Sequence, residues 1–140
     1  MAFKTSTLFS LFSILVCLGS ISVIAAPVFS PKPELERRGS MSGIATWFKV
    51  GLGNCGWQSV DTDWIVALPT SAYGNGEHCG KKVVITDDSN NRGTAIVVDS
   101  CPSCPGTGDL DMSPSLFSFF KPQSDGTFKI TWWFADENGN

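Results

Sequence analysis

Apolar and polar positions alternate in short runs along most of the second two thirds of the chain. In GIATWFKVG (43–51), Ile44, Thr46, Phe48 and Val50 alternate with Ala45, Trp47 and Lys49, the two-residue period of a half-buried strand. IVALP (65–69) reads as a further short strand, and KVVITDDSNNRGTAIVVD (82–99) as two β-rich runs joined by a polar turn, a hairpin with Gly93 supplying positive φ. GTFKITWWF (126–134) places Phe128, Ile130, Trp132 and Phe134 on one face and Thr127, Lys129, Thr131 and Trp133 on the other, so parity assigns Trp132 to the core. A single helix is predicted over SPSLFSFF (113–120): Ser113 caps it, Pro114 occupies the first helical position, and Leu116, Phe117 and Phe120 form its apolar stripe. Glycine-rich VGLGNCGWQ and SAYGNGEHCG read as loops. Short strands with a single short helix predict an all-β closed barrel.

The first 38 residues have a different character. A lysine and then an apolar run from Leu8 to Ile24 end in small residues, the pattern of a secretory signal peptide over residues 1–25. Serines interleaved through the run and the small-residue exit argue against a membrane anchor. Residues 26–38 are proline-rich and end in Arg37 and Arg38, a pro-peptide or linker whose dibasic pair resembles a kexin-type processing site of the kind used in fungal secretion. One domain is expected over 39–140, secreted and extracellular, with no membrane association once the signal is removed.

Residues 39–140 keep six of the ten Lys and Arg and eleven of the thirteen Asp and Glu, six against eleven giving a formal charge of −5. A single arginine and no basic cluster exclude nucleic acid as a partner, because phosphate neutralisation needs such patches. Four cysteines remain after Cys17 leaves with the signal: Cys55, Cys79, Cys101 and Cys104. An even count in a small secreted domain is a disulfide framework with three possible connectivities. Zinc is disfavoured because Cys55 and Cys79 lie 24 apart rather than in a second C-x-x-C unit. A thioredoxin-like redox motif is excluded by Pro105 and Gly106, which prevent a helix from starting at Cys104. No metal and no cofactor are called for.

The chemistry concentrates in VVDSCPSCPGTGDLDMS (97–113), which carries three aspartates beside the C-x-x-C pair. Asp99 ends an apolar strand, so its carboxylate is expected at a barrel rim beside Cys101. Asp111 falls just before the helix, and Asp109 reads as a solvated loop residue. Structural alternatives stay open: Asp111 accepting backbone N–H bonds at the helix entry, and Asp99 capping a turn. His78 reads as incidental.

GIATWF, NCGW, CGKKVVIT, VVDSCPSC, GDLDMSPSLF and ITWWF resemble, in that order, the double-psi β-barrel domain of expansins, barwin-like proteins and rare lipoprotein A, nearest to the single-domain fungal loosenins. The resemblance spans residues 42–134. It implies a six-stranded double-psi β-barrel with one or two short helices and an open polysaccharide groove. Position by position, it makes Thr46 the groove threonine of the first strand, Asp99 the strand-end aspartate and Asp111 the aspartate on which activity depends. Trp47 stands where the family often carries a groove aromatic; Trp57, Trp64 and Trp133 are further stacking candidates. Similarity to barwin favours Cys55 with Cys79 and Cys101 with Cys104. Bacterial expansins often place a tyrosine where Cys101 stands.

Similar inverting barwin-like endoglucanases use the counterpart of Asp111 as general acid and a first-strand carboxylate as base. The first strand here, ATWFKV, contains no carboxylate. The expected function is therefore non-hydrolytic loosening of cell-wall polysaccharide (cellulose, another glucan or chitin) by a monomer, without enzymatic cleavage. A cysteine-protease inhibitor or secreted effector acting through SAYGNGEH or DDSNNRG is the alternative, and a weak endoglucanase or lytic transglycosylase the second.

Overall fold

A computed structural model describes residues 39–135; the signal peptide assigned to 1–25 and the pro-segment assigned to 26–38 lie outside the described residues. Six strands, β1 (Met41–Trp47), β2 (Ile65–Pro69), β3 (Lys82–Asp87), β4 (Arg92–Cys101), β5 (Leu110–Met112) and β6 (Phe128–Phe134), close into a barrel in the order β1-β5-β2-β4-β3-β6. The β1–β5 and β2–β4 pairings are parallel and the rest antiparallel. Two short helices accompany them, α1 (Thr70–Tyr73) and α2 (Pro114–Phe120). The all-β barrel expected from the strand pattern is what forms, and among the described residues no helix is long and apolar enough to cross a membrane.

Inward-facing residues fill the barrel: Ala45, Val66, Leu68, Val83, Ile85, Ala95, Val97, Leu110, Met112, Ile130 and Trp132. Trp132 is fully buried, and its indole Nε1 donates to the Gly108 carbonyl at 2.8 Å, so the largest core side chain also ties down the loop before β5. From α2, Leu116, Phe117 and Phe120 join the same core, each contributing about 1.5–3 kcal/mol of burial.

Local departures from the sequence pattern have physical causes. β1 stops at Trp47 instead of running to Val50. Its parallel partner β5 ends at Met112, one last bond joins Phe48 N–H to Met112 O, and Pro114, which lacks an N–H, then starts α2. Ser113 stands at the helix entry but does not cap it; its hydroxyl donates to the Asp63 carbonyl, pinning the helix start to the approach to β2. In the β3–β4 turn the left-handed residue is Asn90, at φ 60°, and not Gly93. Gly93 is paired with Ile85 inside the ladder, where a Cβ would meet the Phe120 ring at 3.0 Å.

Asp87 organises that turn. Its carboxylate accepts from the backbone N–H groups of Ser89 and Asn91 and from the Asn91 amide, each at 2.9 Å, with Lys121 Nζ at 3.7 Å. Burial pushes this carboxyl up, but the Asn91 and Ser89 hydrogen bonds and the Lys121 charge outweigh it, and its pKa lies below the ordinary value. A depressed folded pKa means stability present above the unfolded value of 3.8 and lost as pH falls through the folded one. Asp87→Ala is therefore expected to cost about 1–3 kcal/mol at pH 7. Urea unfolding at pH 7 and pH 2 checks this: the difference between wild type and variant should shrink at pH 2, and a cost equal at both pH values would contradict it.

Asp109 is not a solvated loop residue. It is 8% exposed, and its carboxylate accepts from Ile44 N–H at 2.8 Å and Gly106 N–H at 2.7 Å. The segment 105–109 crosses β1 there, glycine on glycine: a Cβ on Gly43 would overlap the Gly108 carbonyl, and one on Gly108 the Ser42 carbonyl. Bare backbone needs polar partners, and Asp109 supplies them.

Candidate functional site

Thr46, Asp111, Ala67 and Asp99 are successive partners across four neighbouring strands: Thr46 pairs with Asp111, Asp111 with Ala67, and Ala67 with Asp99. Directly paired residues share a face. That face is the outside of the barrel, since the alternate residues Ala45, Leu110, Met112, Val66 and Leu68 all lie in the core.

Simple alternation would have sent Asp99 the other way. Ala95 and Val97 are core residues, so the next residue of the same parity, Asp99, would point inward. The ladder slips instead: Val66 pairs with Val97 but Ala67 with Asp99, leaving Val98 as the extra residue of a β-bulge. A bulge re-aims the side chains beyond it. The strand continues to Cys101, so Asp99 owes its outward direction to Val98 and not to a strand end.

Asp111 sits half-buried between two different neighbours. The Thr46 hydroxyl donates to its Oδ1 at 2.6 Å, and the Cys101 sulfur lies 3.9 Å from Oδ2. That sulfur is bridged to Cys104, carries no hydrogen, and acts as an apolar wall. Burial raises the Asp111 pKa, the Thr46 bond lowers it, and the Asp99 charge raises it further, with a net upward displacement. Ala67 lets this happen: it is the one residue between the two aspartates in the row, and its methyl is too short to screen them. Asp99→Asn is expected to bring the Asp111 pKa down toward the ordinary carboxylate range; a carboxyl-carbon NMR titration reads it, and an unchanged or higher pKa would contradict the coupling.

Asp99 has a second task. Its Oδ1 accepts from Asn54 N–H at 2.8 Å and Ser100 N–H at 2.8 Å, which anchors the loop that follows β1. Gly53 allows that loop to lie against Val98 and Asp99, with its missing Cβ only 3.2 Å from that of Asp99. A turn-capping role for Asp99 and a place beside Asp111 thus coexist. Asn54, which sequence reasoning did not single out, clamps the same spot with N–H and side chain together.

The tryptophans divide. Trp57, 47% exposed, lies on the loop that Asp99 anchors, with its ring over Gly80. Trp47 follows Thr46 but faces the other way along β1, and its Nε1 donates to Gln123 O at 3.2 Å. Trp64 precedes β2 three residues from Ala67, about 10 Å from the row, and packs on Phe119 with centroids 4.9 Å apart. Trp133 lies on β6, opposite Val84 and beneath the Arg92 guanidinium. By the β1–β6 register it is level with a point six residues from Thr46, about 20 Å along the strand. Of the four, Trp57 stands on the Asp99 side of the row, Trp47 is adjacent in chain but turned from Thr46, and Trp64 and Trp133 are elsewhere on the barrel. His78 stacks on Phe134 at 4.4 Å, on the β6 side, with Lys81 Nζ 3.0 Å from its Nδ1.

The four cysteines among the described residues are all consumed by the pairs Cys55–Cys79 and Cys101–Cys104, the connectivity that similarity to barwin favours. None is left to ligate a metal, and among the described residues no group of three His, Cys, Asp or Glu gathers.

No family model matches the chain. Expansin-like protein 3 of Dictyostelium discoideum is 33% identical over 86 residues, 55% of this chain and 26% of that protein. Expansin-like protein 5 of the same organism is 34% identical over 83 residues, 53% of this chain and 35% of that one. The chain thus spans about a quarter to a third of the length of these relatives. Among solved structures, the expansin of Clavibacter michiganensis superposes with TM-score 0.62 at 23% identity, over 70% of this chain and 51% of that one. A variant of it in complex with cellohexaose gives 0.63. A Streptomyces papain inhibitor superposes with TM-score 0.63 at 27% identity, over 71% of this chain and 96% of that one.

Proposed function

We propose that the chain is an expansin-like double-psi β-barrel protein whose Thr46–Asp111–Asp99 face binds cell-wall polysaccharide and loosens it without cutting it, a reading supported by the expansin-like relatives and the barrel they share. Asp111 carries the proposal. It is half-buried, oriented by the Thr46 hydroxyl, and held at a raised pKa by desolvation and by Asp99. A carboxyl of that kind exchanges hydrogen bonds with a sugar hydroxyl or glycosidic oxygen, in competition with the bonds between polymer chains. Trp57 offers an apolar face for a sugar ring beside it.

The arrangement of carboxylates favours binding over hydrolysis. Inversion needs a base on the opposite side of the sugar from the acid, with the carboxyls roughly 6.5–9.5 Å apart. Asp99 and Asp111 rise from one floor and would meet the same side of a sugar lying on it, and Asp99 is already committed to two backbone N–H groups. β1 contributes Thr46, not a carboxylate. The cellohexaose held by the bacterial expansin variant supports a β-linked glycan as the ligand. Secretion fits the two disulfides, which persist in oxidising compartments.

A second reading rests on the papain inhibitor, 96% of whose length this chain covers. It would use loop edges, the segment 71–78 or the β3–β4 turn. Sedimentation of residues 39–140 with cellulose and chitin, run beside a papain inhibition assay, separates the two. Polymer binding without inhibition is expected; papain inhibition without polymer binding would favour the inhibitor.

A further inference from the structure

Beyond Thr46, on the side away from Asp99, the outer face of the barrel is hollowed into a cavity of about 290 Å³ lined by Ile44, Thr46, Ser103, Cys104, Pro105, Asp109 and Thr127. It is a built feature. The glycine crossing at Gly43 and Gly108 brings segment 105–109 down onto β1, Asp109 fastens it to Ile44 N–H, and the Cys101–Cys104 bridge closes the turn that carries Ser103, Cys104 and Pro105 into the lining. Ile44 precedes Thr46 by two positions on the same outward face and is left 38% exposed, an apolar side chain that the core does not cover.

The lining selects a chemistry. Ile44, Pro105 and the disulfide sulfur give it apolar walls. Its single ionisable group, Asp109, is turned to backbone N–H groups. Polar contact is left to the hydroxyls of Ser103 and Thr127; the former lies 3.5 Å from the Cys101 sulfur, a weak partner that leaves its proton available. An uncharged substituent with a methyl and a carbonyl meets both demands, and a bare ring hydroxyl meets only one.

Resting on the polysaccharide reading of the Thr46–Asp111 face, we propose that this cavity receives the acetamido group of an N-acetylhexosamine unit, so that the preferred ligand is an N-acetylated glycan. The methyl packs on Ile44 and Pro105, and the carbonyl accepts from Ser103 or Thr127. Asp111, joined to the cavity through Thr46, then meets the same or the adjoining sugar.

Isothermal titration of residues 39–140 with chitohexaose, cellohexaose and the de-acetylated glucosamine hexamer tests it. Chitohexaose is expected to bind about tenfold or more tighter than either of the others, the discrimination that one small buried group supplies. Ile44→Ser and Thr127→Val should bring the ratio toward one, with unchanged melting curves verifying that each variant folds. Equal affinity for chitohexaose and cellohexaose overturns the acetamido site and leaves the groove reading standing, whereas no binding of any hexamer overturns both. Insoluble chitin and peptidoglycan sacculi, compared in the same buffer, distinguish the two sources of the acetylated sugar.

Discussion

Asp111→Asn is expected to reduce weakening of cellulose or chitin fibres by about 10–100-fold, the loss of one hydrogen bond involving a charged or proton-exchanging group at about 1.5–3 kcal/mol. Asparagine keeps the shape of the side chain and an oxygen for the Thr46 hydroxyl, which donates at 2.6 Å. It removes the ionisable proton and the negative charge. The fold should not suffer. Desolvation is the main reason that the Asp111 pKa is raised, with the Thr46 bond opposing it and Asp99 adding to it. A carboxyl whose folded pKa exceeds its unfolded 3.8 imposes a penalty that is absent below 3.8, grows as pH rises toward the folded pKa, and is complete above it. The variant should thus match wild type in acid and equal or exceed it at pH 7. Thermal unfolding at pH 3 and pH 7 reads this, and a variant less stable than wild type at pH 7 would make Asp111 a structural residue. Stability given up for function is a common signature of binding sites.

The largest loss of stability is expected from Gly43→Ala. The new Cβ would overlap the Gly108 carbonyl and come within 2.6 Å of Asp109 N, so the clash is with backbone and not with a flexible side chain. Segment 105–109 cannot withdraw freely. Gly108 O accepts the Trp132 indole at 2.8 Å, and Asp109 accepts Ile44 N–H at 2.8 Å. Moving either would strand a buried polar group, so we expect a cost above about 3 kcal/mol. Gly51→Ala is the control, because nothing lies within 4 Å of its Cβ position. Urea unfolding should show the first variant unfolded or severely destabilised and the second near wild type. Equal midpoints for both would mean that the crossing is looser than its geometry implies.

How far these features were legible follows from the length of each pattern. Seven alternating residues in β6 suffice to put Trp132 inside, where it is fully buried, whereas parity leaves Trp133 undecided, and against Val84 on the opposite face it is only partly exposed. β5 is three residues, Leu110 to Met112, too short for any period, and it forms because β1 and β2 each offer it an edge. Asp99 is the instructive case. Its place on the outer face beside Asp111 follows from one extra valine, Val98, and nothing in a run of valines marks which of them is skipped by the ladder. Asp109 looks solvated because its neighbours are Gly, Thr and Pro. Its burial comes from a crossing strand 65 residues away in sequence, which local composition does not encode. Thr46 and Asp111 were matched by resemblance, and their contact at 2.6 Å joins residues equally distant along the chain.

Strips of cellulose paper and films of chitin, incubated with residues 39–140, allow breaking force and newly formed reducing ends, soluble and insoluble, to be measured on the same sample. Breaking force should fall with wild type and not with Asp111→Asn, while reducing ends stay at the level of buffer alone. Reducing ends that rise in step with the weakening, and vanish with Asp111→Asn, would make the protein a hydrolase and contradict the account.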